Sequence, residues 1–297
     1  MYIVSSWSYT KFNYMFWGKK LLSTAFLSII FIAAAIVSYA FTPAFINMFE
    51  KGGRLVKNYK GEMIPQGIGI MFPIYSLFWY TLFLLLFKND FVNTLLFQFA
   101  ITAACLIGSV DDMLGARDVL GFKGHFKSLL KGRLTTGALK AIVGLLVSFI
   151  ISSSLTSNLF ETVINTLIIA LFTNFFNLLD LRPGRAIKVH IFSFLVIFVS
   201  LIIKHKTVAI SPFIPLIGSI IGYMPHDLKA RCMMGDAGSN VLGISVGFLV
   251  VLTFSLNIRV AVLALLIGIH IFTEKYSLTE LIKHNRFLNY LDNLGRS

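Results

Sequence analysis

The sequence predicts an all-α, polytopic membrane protein, and three observations carry that prediction. The chain has 297 residues and draws 57% of them from the apolar set, more than the core of a soluble domain of this size can cover. Only 13% of its residues are charged. The apolar residues come in repeated runs of roughly 18 to 22, each long enough as a helix to cross a hydrocarbon layer of ~30 Å.

Nine spans are predicted, at 21–45, 64–87, 91–110, 135–155, 159–180, 187–203, 207–224, 237–255 and 257–273. The first follows Lys19 and Lys20 and continues past the usual length of a signal-peptide core, so it reads as an uncleaved span. The second enters through P-Q-G-I-G-I, and the third ends at Asp111 and Asp112. The fourth contains Lys140, and the fifth ends at Asp180. Lys204 and Lys206 separate the sixth from the seventh, and the eighth opens at M-G-D-A-G-S. After the ninth, Ser277 and Glu280 form an S-x-x-E capping box that opens an amphipathic helix on the membrane surface. The whole chain, 1–297, reads as one integral membrane domain: an N-terminal segment 1–20, a bundle 21–273 and a tail 274–297.

The formal charge of +13 calls for no nucleic-acid partner, because the basic residues sort by loop. With the N-terminus outside, 18 lysines and arginines fall on the inner side and 7 on the outer, the asymmetry expected of cytoplasmic loops. That predicts an N-out, C-in topology. Of 13 acidic residues only Asp90 and Glu161 then lie outside. Cys105 and Cys232 offer neither a disulfide framework nor metal-site spacing and read as packing residues.

Ionisable groups at membrane depth are expensive and are candidates for function by default. Asp111 and Asp112 repel one another, so the pair calls for a cation or a shared proton, or else caps the next turn and meets Arg117 and Lys123. Asn174, Asn177 and Asp180 recur at intervals of three and share one face of a helix. Such a stripe faces a wet cleft or bonds to neighbouring helices. Asp236, in M-M-G-D-A-G-S-N, opens a helix whose free N–H groups suit an anion, beside glycines that let a ligand approach; a plain cap is the other use of it. Two basic loops, 51–60 and 117–140, add Lys60, Lys123 and Lys127 to the ordinary inner-side bias. Carboxylates for a hard divalent cation beside cations for phosphates point to phosphate chemistry with Mg2+.

The motifs G-S-V-D-D at 108–112, N-F-F-N-L-L-D at 174–180 and M-G-D-A-G-S at 234–239 resemble those of the polyprenyl-phosphate N-acetylhexosamine-1-phosphate transferases. That superfamily includes phospho-N-acetylmuramoyl-pentapeptide transferase and the enzymes that start teichoic acid or O-antigen synthesis. The stretch N-Y-K-G-E-M-I-P-Q-G-I-G-I at 58–70 is similar to the family's first cytoplasmic loop, and the resemblance covers residues 40 to 255. It implies a multi-pass enzyme of the bacterial plasma membrane. The implied reaction moves a sugar 1-phosphate from a UDP-sugar to polyprenyl phosphate, gives UMP, and uses Mg2+ or Mn2+. The resemblance also implies Asp111, Asp112 and Asp180 as catalytic groups and Asp236 as metal ligand. Asn174, Asn177 and Gly235 would line the donor cleft, and Lys60, Lys123 and Lys127 would meet phosphate oxygens. A homodimer is compatible with it.

Two departures mark the chain. After Asp180 the family pattern D-G-x-x-G gives way to Leu181-Arg182-Pro183-Gly184; the proline stiffens the loop, and Arg182 and Arg185 offer a fork for an anion. No H-x-H occurs, where relatives carry a histidine-rich motif near a later span. These departures keep in view a non-catalytic relative that binds lipid-linked precursors or scaffolds envelope assembly. A carboxylate-coupled transporter would instead place its acids near mid-membrane.

Overall fold

The structure is a computed structural model that describes residues 6–86, 91–115, 128 and 132–296. Among these residues each predicted span contains a helix: α1 (Ser6–Lys51), α2 (Met71–Leu86), α3 (Phe91–Leu114), α4 (Thr136–Leu155), α5 (Leu159–Leu179), α6 (Arg185–Ile203), α7 (Ile214–Leu228), α8 (Gly235–Thr253) and α9 (Leu256–Thr273). Seven of them are long and apolar enough to cross a membrane; α2 and α7, with 16 and 15 residues, are shorter.

The short helices lie where the predicted spans began too early. Residues 64–70 form a strand and a 3-10 turn rather than α-helix, because Pro65 lacks an N–H and Gly67 sits at a φ of 93°, outside the helical region. The 207–224 span opens with a 3-10 segment, Thr207–Phe213, that contains Pro212. In contrast, α1 extends beyond 21–45 at both ends, and α3 continues past residue 110 to Leu114, which puts Asp111 and Asp112 inside its last turns.

A small hairpin that the apolar pattern does not predict joins α1 to α2. Strands β1 (Leu55–Lys57) and β2 (Met63–Pro65) pair antiparallel. Their turn is held by the Asn58 side chain, whose Oδ1 accepts from the N–H groups of Lys60 and Glu62 at 2.8 and 3.0 Å, as in an Asx turn. Beyond β2 the backbone pairs with the residues just before α8: Met233 N–H donates to Pro65 O at 2.8 Å and Gly69 N–H to Met234 O at 3.0 Å.

Helix α8 forms the centre of the bundle and is almost wholly buried. Its small residues let neighbours approach closely: a Cβ at Gly243 or Gly247 would run into the α5 backbone at Phe172 and Ile169. The contacts also fix relative directions. Helices α1 and α7 run parallel, with Gly218 beside Phe31, Gly222 beside Ala35 and His226 beside Tyr39. Helix α6 runs parallel to α8, from His190–Ser245 to Lys204–Thr253. Helices α3 and α5 run antiparallel to α8, through Asn240–Ala104 and Phe97–Phe248 for the first and Asn177–Ser239 and Ile169–Gly247 for the second. Within each of these groups the directions alternate with helix number. Large apolar side chains such as Ile29, Ile32 and Ile36 remain exposed on the outside of the bundle, where lipid would cover them.

The tail folds as two short helices, α10 (Leu278–His284) and α11 (Arg286–Asn293). Ser277 caps the first helix, its Oγ accepting from Glu280 N–H at 3.4 Å, while the Glu280 carboxylate pairs with Lys283 instead of completing the expected box. A second cap at Asn285 breaks the predicted single helix in two.

Candidate active site

The ends of α3, α5 and α7 and the start of α8 meet at one end of the bundle. The first link is between α3 and α8. Asp112 accepts from the N–H groups of Asp236 and Ala237, both at 3.0 Å, and from Gln66 Nε2 at 2.8 Å. The α8 N-terminus, expected to receive an anion, thus receives the carboxylate of Asp112, which a helix dipole favours. Gly235 makes room for it: its φ is 68°, and a Cβ there would overlap the Asp112 carboxylate.

The second link is a lysine. Lys140, in the second turn of α4, donates to Asp236 Oδ2 and lies 3.7 Å from Asp111. Asn177 completes the group with its amide oriented so that the oxygen accepts from Lys140 at 2.8 Å and the nitrogen donates to Asp236 at 2.7 Å. The side chains of Lys140, Asp111 and Asp236 keep 13, 22 and 23% of their surface, so the cluster is half-buried and open on one side. Asp180, just past the end of α5, interacts electrostatically with Asp227, Asp236, Asp112 and Lys140. Two carboxylates, Asp111 and Asp236, therefore flank one ammonium, with Asp112 and Asp180 at the neighbouring helix ends.

Behind Asp180, the loop to α6 is fixed by Asp227 of α7. Its carboxylate is buried and accepts from Gly184 N–H at 2.6 Å and Tyr223 OH at 3.2 Å. Gly184 begins α6 at a φ of 74°, and a Cβ there would strike Leu228. The Pro183-Gly184 turn thus depends on packing with α7.

Of the residues singled out in the sequence, Asp111, Asp112, Asn177, Asp180, Gly235 and Asp236 come together here. Asn174 lies one turn earlier on α5 and is exposed, outside the hydrogen bonds of the cluster. Arg182 stacks over the Tyr59 ring at 4.9 Å, and Lys60 lies 5.6 Å from the same ring. Arg185 is buried and turned to the tail: its Nε and Nη2 donate to Asp292 at 2.7 and 3.0 Å, and its Nη1 to Thr279 at 2.9 Å. Lys123 and Lys127 lie outside the described residues. Lys140, Gln66 and Asp227 were not singled out. For Lys140 a signal existed, since a lysine inside an apolar span needs a partner.

The donor set suits a hard divalent cation. Asp111 and Asp236 offer carboxylate oxygens on the open side, and among the described residues no group of three or more acidic, His or Cys side chains is placed to hold a metal ion. Two carboxylates are what Mg2+ would need from protein, since it completes its shell with water and substrate phosphates.

No curated protein matches the chain. The profile described as Glycosyl transferase family 4 matches residues 94–254, more than half of the sequence, and its limits run from α3 to the end of α8, across all three carboxylate motifs. The chain therefore belongs to glycosyl transferase family 4, as a multi-pass membrane transferase.

Proposed function

We propose that the protein transfers a sugar 1-phosphate from a UDP-sugar to polyprenyl phosphate at the cytoplasmic face of a bacterial plasma membrane, leaving UMP. The observation that supports this most is the gathering of Asp111, Asp112, Asp180 and Asp236 at one end of the bundle, with Lys140 paired to Asp111 and Asp236. An oxygen of the lipid phosphate attacks the phosphorus that bears the sugar. The bond from that phosphorus to the bridging oxygen breaks, and the bridging oxygen departs with UMP. A phosphate monoester is largely ionised at neutral pH, so these residues act mainly by positioning and by neutralising charge.

Asp111 and Asp236 are the residues that would hold Mg2+, whose contribution is to neutralise the phosphate oxygens. Asp112 keeps α8 in register with α3 and so sets the position of Asp236. Asn177 orients the Asp236 carboxylate, and Lys140 holds Asp111 and Asp236 together until anionic substrate draws its ammonium toward phosphate. The nine-crossing, N-out and C-in arrangement rests on the loop charges and on the alternating helix directions.

The test is a donor panel: membranes containing the protein, labelled UDP-GlcNAc and related UDP-sugars, polyprenyl phosphate and Mg2+. Labelled lipid with an equivalent of UMP is expected from one donor, and Asp236→Asn should abolish both. A folded preparation that yields neither from any donor would contradict the reading. A second reading, a non-catalytic relative that holds lipid-linked precursors, draws on Lys140 already occupying the space between two carboxylates. Cellular function that survives both Asp111→Asn and Asp236→Asn would favour it.

A further inference from the structure

A cavity of about 370 Å3 opens between the hairpin tip, the loop after α5 and the tail, a size that accommodates part of a small ligand. Lys60, Arg182, Arg185, Lys283 and Arg296 line it against the single carboxylate of Asp292. Glu280 pairs with Lys283 at 2.7 Å, and basic side chains outnumber acidic ones along the lining. Two walls are rooted in the carboxylate cluster. The hairpin continues into Gln66, which donates to Asp112, and Arg182 follows Asp180 by two residues.

The tail forms the third wall and is tied down firmly. Asp292 receives both Arg185 and Arg296. Arg296 also donates to Pro183 O at 3.0 Å, and Lys188 donates to the carbonyls of Leu291 and Asp292 at 2.9 and 2.6 Å. Arg185 and Arg296 therefore hold the tail. Arg182 and Lys283 have charge to offer. Arg182 makes no ion pair among the described residues, and Tyr59 fixes the position of its guanidinium. The Lys283–Glu280 pair is more than half exposed on both sides, the kind of surface pair that holds little energy, so Lys283 can exchange Glu280 for a ligand at small cost.

We propose that the tail is a wall of the donor site, and that Arg182 and Lys283, with Lys60 beside them, bind a phosphate of the soluble nucleotide. The identity of the nucleotide rests on the transfer reading above, whereas the anion preference rests on the charge of the cavity. The experiment measures binding of UDP by calorimetry to the full chain in nanodiscs of uncharged lipid, for the wild type, Lys283→Glu and Arg182→Gln. Both side chains are at least partly exposed, so the variants should fold, as an unchanged melting temperature would verify.

The expected result is UDP affinity at least about tenfold weaker in each variant, as for loss of a charge-assisted hydrogen bond, with a shallower salt dependence in Lys283→Glu. Affinity within twofold of the wild type in both variants would overturn the proposal. So would wild-type protein that does not bind UDP, or an effect confined to binding of anionic-lipid vesicles while UDP binding is intact. The two readings fail separately. UDP bound through this cavity without sugar-phosphate transfer defeats the transfer reading alone. Transfer with donor KM and UDP affinity untouched by either variant defeats the cavity alone.

Discussion

Lys140 is an ammonium in an apolar helix, and it is tolerated there because Asp111, Asp236 and Asn177 surround it. Replacing it with methionine would leave neighbouring carboxylates to repel each other at a half-buried site. Lys140→Met is expected to lower transfer by about 100-fold or more, the scale seen when one preorganised donor is lost. Its melting temperature in detergent should fall, and Mg2+ should restore more of it than in the wild type; an equal Mg2+ response in both proteins would argue against a shared cation position. Gly235 gives a second check. Gly235→Ala forces an L side chain to a φ of 68° and onto Asp112, and is expected to destabilise by about 1–3 kcal/mol. Gly268→Ala, which meets nothing within 4 Å, should be neutral or slightly stabilising by equilibrium unfolding. Asp112, Asn177, Asp180 and Asp236 were legible in the sequence because polar groups stand out in a greasy chain. Gln66 and Asp227 were not, because their bonds reach across 46 and 43 residues and no local spacing encodes them.

At the scale of elements, the docked tail has the clearest dependence on conditions. Burial acts to raise the Asp292 carboxyl, but its bonds and charges with Arg185 and Arg296 outweigh burial and hold it below the usual carboxylate range. A depressed carboxyl stabilises docking above its free pKa, near 4, and that contribution disappears as pH falls toward and below the docked value. Amide protection of α10 and α11, taken relative to the intrinsic exchange rate at each pH, is therefore expected to be high at pH 7 and to drop below about pH 4, ahead of that of α8. Asp292→Asn should give low tail protection at both pH values; if its protection matches the wild type at pH 7, Asp292 does not hold the tail through Arg185 and Arg296. The helices were readable as apolar runs and the Ser277 cap from its box. The hairpin was hidden because strands of three residues are too short to show alternation, and the apolar stretch 64–70 looked like the start of the next helix.

Over the whole molecule, the loop charges agree with the helix directions seen: α1 runs parallel to α7 and α6 to α8, while α3 and α5 run antiparallel to α8. The α6–α7 turn at His205 and the end of α9 at Lys275 should then lie on opposite sides of the membrane. Cysteines placed at these two positions test this with an impermeant thiol reagent, since native Cys105 and Cys232 are buried and contribute little background. His205→Cys should label from outside intact cells and Lys275→Cys only after permeabilisation; labelling of both from one side would overturn the proposed nine-crossing topology. The bundle was legible from composition, whereas the central place of α8 was not, because its glycines and serines lower its apolar signal while making it the easiest helix to pack around.

The central claim, transfer of sugar and phosphate together, is tested most directly by a donor labelled separately in the sugar and in the phosphate next to it. With polyprenyl phosphate, Mg2+ and the donor selected from the panel, both labels should reach the lipid in equal amounts, with one unlabelled UMP released for each. Sugar label reaching the lipid without its phosphate, or neither label reaching it from a folded preparation, would contradict the claim.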